Sequence, residues 1–494
     1  MIRSIPSARK TSIAIFISLL AGLSGYLPAR PYEIHPLGIS ASTHDMTIDL
    51  TGKMHIIYVQ NHKLYYAQIA DYRIKNSTFL ATLTGSETWF TRPRIAVRND
   101  GNTVHIVYGD TKLTHVWKDK KGSWRTETVR PAVLDRRYFG PVCAVTDDES
   151  VHVLYQYWNG SSSASPMIYL RKPSGKNWSS DKSLGSNSKA EYRDPSVFVD
   201  SYGGLHVSWR APVVSPSCFY RYAPAGSHLE DARTYAIPYA KGITHNGFGD
   251  LHVDENGRVH RAIATWSSRK KITIDYSYRD EGGNFKSPTR PSIGELAGGG
   301  YHWPAVTSDR LGRVYVSYLD EVNKKSALYL SVLERGVWTK YLIDPATQNG
   351  YNGFIKPTLD SIPSNVYGIY RNSSGKLILG VLRLGDSSSR ITVIDPHSTE
   401  TFTRGEVKTI RWTSDNLTGP VNIYLYQNHR LVGTIAENVP VGEGTYGWET
   451  GALIEGSASN GMGYKIRIQS GDGHYWDASD GAFQIQSPPP PVFR

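Results

Sequence analysis

The chain has 494 residues and a formal net charge of +11, with 39% hydrophobic and 20% charged residues. That length exceeds one small core, so a large repeat unit with an appended domain is the expected division. The positive balance steers anions toward the protein, but there is no Lys/Arg run and no nucleic-acid-binding motif, which argues against a nucleic acid partner.

Arg3, Arg9 and Lys10 precede an apolar run from Thr11 to Leu27. A basic segment followed by a run of this length reads as a secretory signal peptide over residues 1–29, and predicts a secreted or cell-surface protein. No later stretch is long and apolar enough to span a bilayer, so the membrane is not an expected partner beyond the signal peptide. Residues 31–39 lie before the first repeat. They are expected to pair with the last repeat and close a ring without an exposed edge.

From there to about residue 385 a β-rich unit recurs. His55, His105, His152, His206, His260, Tyr315 and Tyr367 each follow a turn rich in Gly and Asp, at a spacing of roughly 50 residues, the period of a propeller blade. One copy runs Tyr192 to Asp200, turns through Ser201-Tyr202-Gly203-Gly204, and returns as Leu205-His206-Val207-Ser208-Trp209-Arg210. Alternating apolar residues around such a turn predict an antiparallel hairpin. An aromatic strand and a Gly-x-Trp element add one or two strands in most copies. Inner strands are predicted to open near His44, Arg92, Tyr138, Tyr192, His245, Tyr301 and Tyr351, which makes seven blades.

Gly385-Asp386-Ser387-Ser388-Ser389 reads as a linker. The remainder alternates as short strands at 391–394, 407–412, 421–426, 446–448, 464–468 and 483–485, the pattern of a small sandwich. The predicted fold class is therefore all-β: a seven-bladed β-propeller over 30–385, an immunoglobulin-like β-sandwich over 390–487, and a disordered tail over 488–494.

Five of the recurring histidines hold one architectural position, so they are expected to serve packing or hydrogen bonding between blades. Function is expected where the copies differ, at the inner-strand starts lining the channel mouth. These form a cationic and aromatic cup: His44, Arg92, Arg137, Tyr138, Tyr192, Arg193, His245, Asn246, Tyr301, His302 and Tyr351. Such groups suit β-elimination from a uronate. A cation neutralises the carboxylate, a His or Tyr removes the C5 proton, and an acid protonates the leaving oxygen. Hydrolysis would call for two flanking carboxylates, and Asp45, Glu191 and Asp194 show no pairing by spacing. No metal-binding signature is present, so no cofactor is expected beyond an optional structural ion. Cys143 and Cys218 are either a disulfide or two buried thiols.

The repeat, with strands opening on x-x-Pro and a hydrophobic-His-hydrophobic-x-Tyr return, resembles the BNR-type seven-bladed propellers that include ulvan lyases and related rhamnose–uronate lyases and rhamnosidases. The likeness covers about residues 40–385. It implies a Tyr opening an inner strand and an Arg after that blade's second strand, matched by Tyr192 and Arg210, which assist a His pair one blade earlier. Tyr138 and Tyr155 or Tyr157 stand where that pair belongs, so His245 and His302 become the candidates for the missing base. The resemblance thus implies catalytic roles for Tyr192, Arg210, His302 and His245. Substrate binding falls to His44, Arg92, Arg137, Tyr138, Arg193, Tyr301, Asn246 and Tyr351. The implied partner is an acidic polysaccharide, bound by a monomer. The alternatives are a non-catalytic glycan- or protein-binding propeller and a rhamnosidase-like hydrolase. In the C-terminal part, Phe402-x-x-Gly405, Ile410-x-Trp412, Tyr446-Gly447-Trp448, Tyr464-x-Ile466-x-Ile468 and Phe483-x-Ile485 resemble the Kre9/KNH-type domain of secreted and cell-wall proteins.

Overall fold

The computed structural model describes residues 32–489 except 50–51, 84–91, 99–100, 110, 135, 159–165, 186–192, 212–217, 239–242, 268–271, 281–282, 290, 292–295, 297–303, 310–311, 323–324, 335, 346, 348–357, 360–364, 384–388, 397–399 and 474. The segment expected to be a signal peptide lies outside them, as does most of the expected tail.

Among the described residues, seven sheets of three or four antiparallel strands follow one another along the chain. Blade 1 is built from Thr43–Ile48, Met54–Gln60, Lys63–Ala70 and Arg73–Thr82. Blade 2 uses Arg94–Val97, Val104–Tyr108, Leu113–Lys118 and Trp124–Arg130, and blade 3 uses Arg137–Val145, Val151–Trp158, Met167–Lys172 and Lys182–Ser183. Blade 4 comprises Arg193–Val199, Leu205–Arg210, Cys218–Ala223 and Tyr235–Ala236, and blade 5 comprises Ile243–Val253, Val259–Ser267 and Ile272–Arg279. Blade 6 is Ala305–Ser308, Val314–Val322, Lys325–Glu334 and Val337–Asp344. Blade 7 takes Thr358–Leu359, Asn365–Arg371 and Lys376–Arg383 from its own copy, and Tyr32–Ser40 from the N-terminus. The first-named strand of each blade packs on that of the next, and blade 7 returns to blade 1, which closes the ring. The described inner strand of blade 6 begins at Ala305, and Tyr301, where it was expected to open, lies outside the described residues.

The core lies between blades rather than inside them, as stacked sheets require. Ile57 and Val59 of blade 1 pack with Ile95 and Ile106 of blade 2, and Leu154 of blade 3 packs with Val207 and Trp209 of blade 4. Blade 7 meets blade 1 through Ile369 and Leu379 against Met46 and Ile56, with Leu37 of the closing strand in the same cluster.

The recurring turn has one mechanism. Asp49, Asp200, Asp254 and Asp309 each accept, at the main-chain carbonyl, the N–H of a glycine three residues on, at 2.9–3.0 Å. Each carboxylate also accepts the backbone N–H four residues on, at 2.8–3.0 Å. Its second oxygen takes the residue six positions on: His55 at 3.0 Å, His206 at 2.8 Å, His260 at 3.2 Å, and the Tyr315 hydroxyl at 2.8 Å. The far ring nitrogen of each histidine meets a tyrosine hydroxyl on the third strand: Tyr66, Tyr220 or Tyr276, at 2.7–2.8 Å. The five histidines are structural, but they bond within a blade and not between blades. Copies that lose the Asp rewire the histidine. In blade 3 Thr146 takes its place at 3.3 Å from His152. In blade 2 the turn position is Arg98, and His105 instead meets His115 at 3.0 Å, which passes to Glu127 at 2.9 Å.

Beyond residue 389 the chain forms two sheets. One orders Arg390–Asp395, Val407–Asp415 and Thr445–Glu449. The other orders Thr401–Thr403, Phe483–Gln486, Gly461–Ser470, Pro420–Gln427 and Arg430–Pro440, with Trp476–Ala478 alongside Gly461–Ser470. Phe402, Trp412, Trp448, Tyr464, Ile468 and Phe483, all part of the sequence pattern, fill the core between them. This is the expected immunoglobulin-like sandwich.

Candidate functional site at the channel mouth

The channel mouth is where the first strand of each blade begins and the second ends. The described residues there are rich in arginine. Arg92 precedes the inner strand of blade 2, Arg94 opens it, Arg210 ends the second strand of blade 4, and Arg371 ends the second strand of blade 7. Asp45 of blade 1 accepts the Ile95 amide at 3.1 Å and lies 3.6 Å from Arg94. Asp194 is ion-paired with the Arg210 Nε. Arg371 donates to the Ala41 carbonyl at 2.8 Å.

These groups feel one another. Burial, then the neighbouring charges of Arg94 and Arg371, pull the Arg92 guanidinium down to about 9, against the favourable pull of Asp45 and Asp194. Burial likewise brings Arg371 down to about 10. Both stay protonated near neutral pH. Among the described residues, four guanidinium groups and two carboxylates thus share a largely buried region, where charges act on one another strongly.

The expected site residues fall into three groups. Arg92 and Arg210 stand in this cluster. His44 is buried at its edge, with Nε2 3.2 Å from the Ile369 carbonyl. Arg137 is exposed at the start of its strand. Tyr138 is 1% exposed, with its hydroxyl donating to the Pro131 carbonyl at 3.0 Å and its ring beside Tyr155. It is a core residue between blades 2 and 3. Arg193, His245 and Asn246 lie in strands paired with Arg210, Trp266 and Thr265, and their side chains are outside the described residues. Tyr192, Tyr301, His302 and Tyr351 are outside them altogether.

Arg94 and Arg371 are missing from the sequence-derived cup. Arg371 had a signal: it follows Tyr367 by four residues, as Arg210 follows His206. Of the two tyrosines that could stand for the second member of the implied His pair, Tyr155 is fully buried, and burial followed by nearby Asp181 pushes its phenol above the ordinary range. A phenol so shifted is a poor base. Tyr157 is covered by the Arg136 guanidinium, 4.2 Å from its ring centre. Cys143 and Cys218 are separate buried thiols. No group of three or more His, Cys, Asp or Glu among the described residues is arranged to hold a metal.

Residues 395–480 match the family model of the Kre9/KNH-like N-terminal Ig-like domain. No curated protein matches the chain at a significant level. Among solved structures, the BP39L lectin from Burkholderia pseudomallei is similar at 11% identity and a TM-score of 0.47, over 70% of this chain and 97% of that one. AofleA from Arthrobotrys oligospora is 13% identical with a TM-score of 0.40, over 64% and 90%. The Penicillium chrysogenum alpha-L-arabinanase is 11% identical with a TM-score of 0.39, over 62% and 99%. At these scores the propeller assignment stands on the sheets of this chain, not on the likeness.

Proposed function

We propose that the propeller receives an acidic, uronate-bearing polysaccharide at its channel mouth and cleaves it by β-elimination. The observation that carries this reading is the convergence of Arg92, Arg94, Arg210 and Arg371 at the mouth, beside Asp45 and Asp194. Arginine presents a planar fork to a carboxylate. A uronate carboxylate held there loses the negative charge that otherwise opposes removal of the C5 proton. Arg92 and Arg371 are assigned to that carboxylate, and Arg210, held by Asp194, to a positioning role beside Tyr192. The proton transfers are assigned to Tyr192, His245 and His302. Residues 1–29 would export the protein as a monomer to where such glycans occur.

A second reading is glycan binding without cleavage. It is favoured by the raised phenol of Tyr155 and the tied hydroxyl of Tyr138, which deprive the blade 3 side of a base.

A panel of uronate-containing glycans, followed by the ultraviolet absorbance of unsaturated uronates, separates the two. The expected outcome is a rising absorbance that is lost in Tyr192→Phe. Binding of the same glycan with no new double bond and no new reducing end would leave the second reading standing. Failure of every anionic glycan to bind would remove both.

A further inference from the structure

The turns of blades 4 and 5 lie at the end of their strands away from the channel mouth, and there they meet the sandwich. The hairpin tip between Pro420–Gln427 and Arg430–Pro440 places His429 on them. Its Nε2 lies 3.1 Å from Asp200 Oδ2, and its Nδ1 lies 3.4 Å from the Glu255 carbonyl oxygen. Its ring also meets Tyr202 edge to face, with centroids 4.2 Å apart. The seat is shaped for it: a Cβ added to Gly257 would come within 2.5 Å of the ring. Beside it, Arg467 donates to Asn256 at 3.2 Å, and the buried Lys465 ammonium stands 5.0 Å from the Tyr202 ring centre while donating to the Asp480 carbonyl.

Both partners of the His429 ring, a carboxylate and a peptide carbonyl, can only accept. Neutral imidazole has one N–H and can satisfy one of them; imidazolium satisfies both. We propose that His429 docks the sandwich on the propeller by donating from both ring nitrogens, so that the joint between the two domains is tighter in acid and loosens as pH rises.

The groups facing His429 are mixed in sign. The propeller supplies Asp200, Glu255, His206 and Tyr202, with Arg258 and Asp254 in the same blade 5 turn. The sandwich supplies Lys465, Arg467 and Tyr426, with Arg430 next to it in sequence. Asp200 is the decisive one. Burial alone would raise its carboxyl, but hydrogen bonds from His206 and His429 more than reverse this and hold it ionised well below the usual carboxylate range. It therefore remains an acceptor throughout the interval in which histidine titrates. His206 fills the other side of the same oxygen at 2.8 Å. Deprotonating His429 thus costs the joint one hydrogen bond and one ion pair, both shielded from water.

Small-angle scattering of the full chain at pH 5.5 and 8.5 reads the joint directly. The expected result is a larger radius of gyration and a broader pair-distance distribution at pH 8.5, with the undocked fraction rising at least threefold. His429→Gln cannot titrate, and its scattering should be the same at both values. Arg467→Ala should shift the undocked fraction upward at both while keeping the difference between them. Superimposable wild-type curves at the two pH values, opening toward acid instead, or a His429→Gln protein that still responds to pH would each overturn the proposal. Near-ultraviolet circular dichroism on the same samples establishes that the variants are folded.

Discussion

His260 shows what one repeat position contributes. Its ring is buried between the Asp254 carboxylate and the Tyr276 hydroxyl. Replacing it by Leu strands a buried carboxylate, so His260→Leu should lose about 2–4 kcal/mol of stability, whereas Tyr276→Phe should lose about 1 kcal/mol. Denaturant titration of the two variants checks the ratio. Burial, then nearby cationic partners, depresses His105 to about 3, and burial with Arg171 depresses His152 to about 4. Unfolded, both take a proton near pH 6.5. Between that value and their folded values the unfolded chain binds more protons, so stability is full above pH 6.5 and falls with acidification, by on the order of a few kcal/mol. Thermal unfolding should therefore start several degrees lower at pH 4.5 than at pH 7.5, and His152→Gln should flatten part of the slope. A melting temperature unchanged by acid would contradict this. The sign opposes that of the His429 joint, so the two effects are separable in one pH series.

At the level of the strand, ring closure rests on Tyr32–Ser40, which pairs antiparallel with Lys376–Arg383 from Tyr32↔Leu382 to Ser40↔Lys376. Without it blade 7 would show a bare edge of N–H and C=O groups. The fit is tight, since a Cβ on Gly380 would overlap the Tyr32 hydroxyl. Gly380→Ala should accordingly loosen this strand, lower the unfolding free energy by roughly 1–3 kcal/mol, the usual range for overpacking, and expose residues 32–40 to protease. Persistence of full protection in that variant would show that the strand is not wedged there. Blades 2 and 3 show what happens where a repeat departs from its rule. The loss of Asp at Arg98 and Thr146 was visible in sequence, but the replacements were not. His115 occupies the third-strand position held by Tyr66 in blade 1, and Glu127 ties it to Lys172 and Trp178 of blade 3.

Over the whole molecule, the arginine-rich mouth and the contact with the sandwich lie at opposite ends of the same strands. Arg210 and Asp194 are at the mouth end of the blade 4 hairpin, and Asp200 is at its turn, under the sandwich. Arg92→Leu tests the cluster as a unit. Removing one of several crowded buried cations should leave the fold as stable or more so, while acidic-glycan affinity falls about 10- to 100-fold, the range for losing a charge-assisted bond. Calorimetric titration with an uncleaved glycan and a parallel unfolding curve give both values; equal losses in both would mean a structural role only.

The seven-fold repeat, the closing N-terminal strand and the sandwich were legible in the chain, because each depends on period-two burial and on turns whose Asp and Gly act within six residues. The masonry role of the histidines was legible for the same reason, though not that each bonds inside its own blade. The mouth was legible only in part. Arg92 and Arg210 stand in the arginine cluster, Tyr138 belongs to the core, and Arg371, whose spacing from Tyr367 repeats that of Arg210 from His206, joins the cluster because the ring brings blade 7 back beside blades 1 and 2. The His429 joint left no trace in sequence at all, since its partners are 229 and 174 residues away. Local hydrogen bonding is written in short spacings, whereas charges that meet across a closed ring or between domains are brought together by the fold alone.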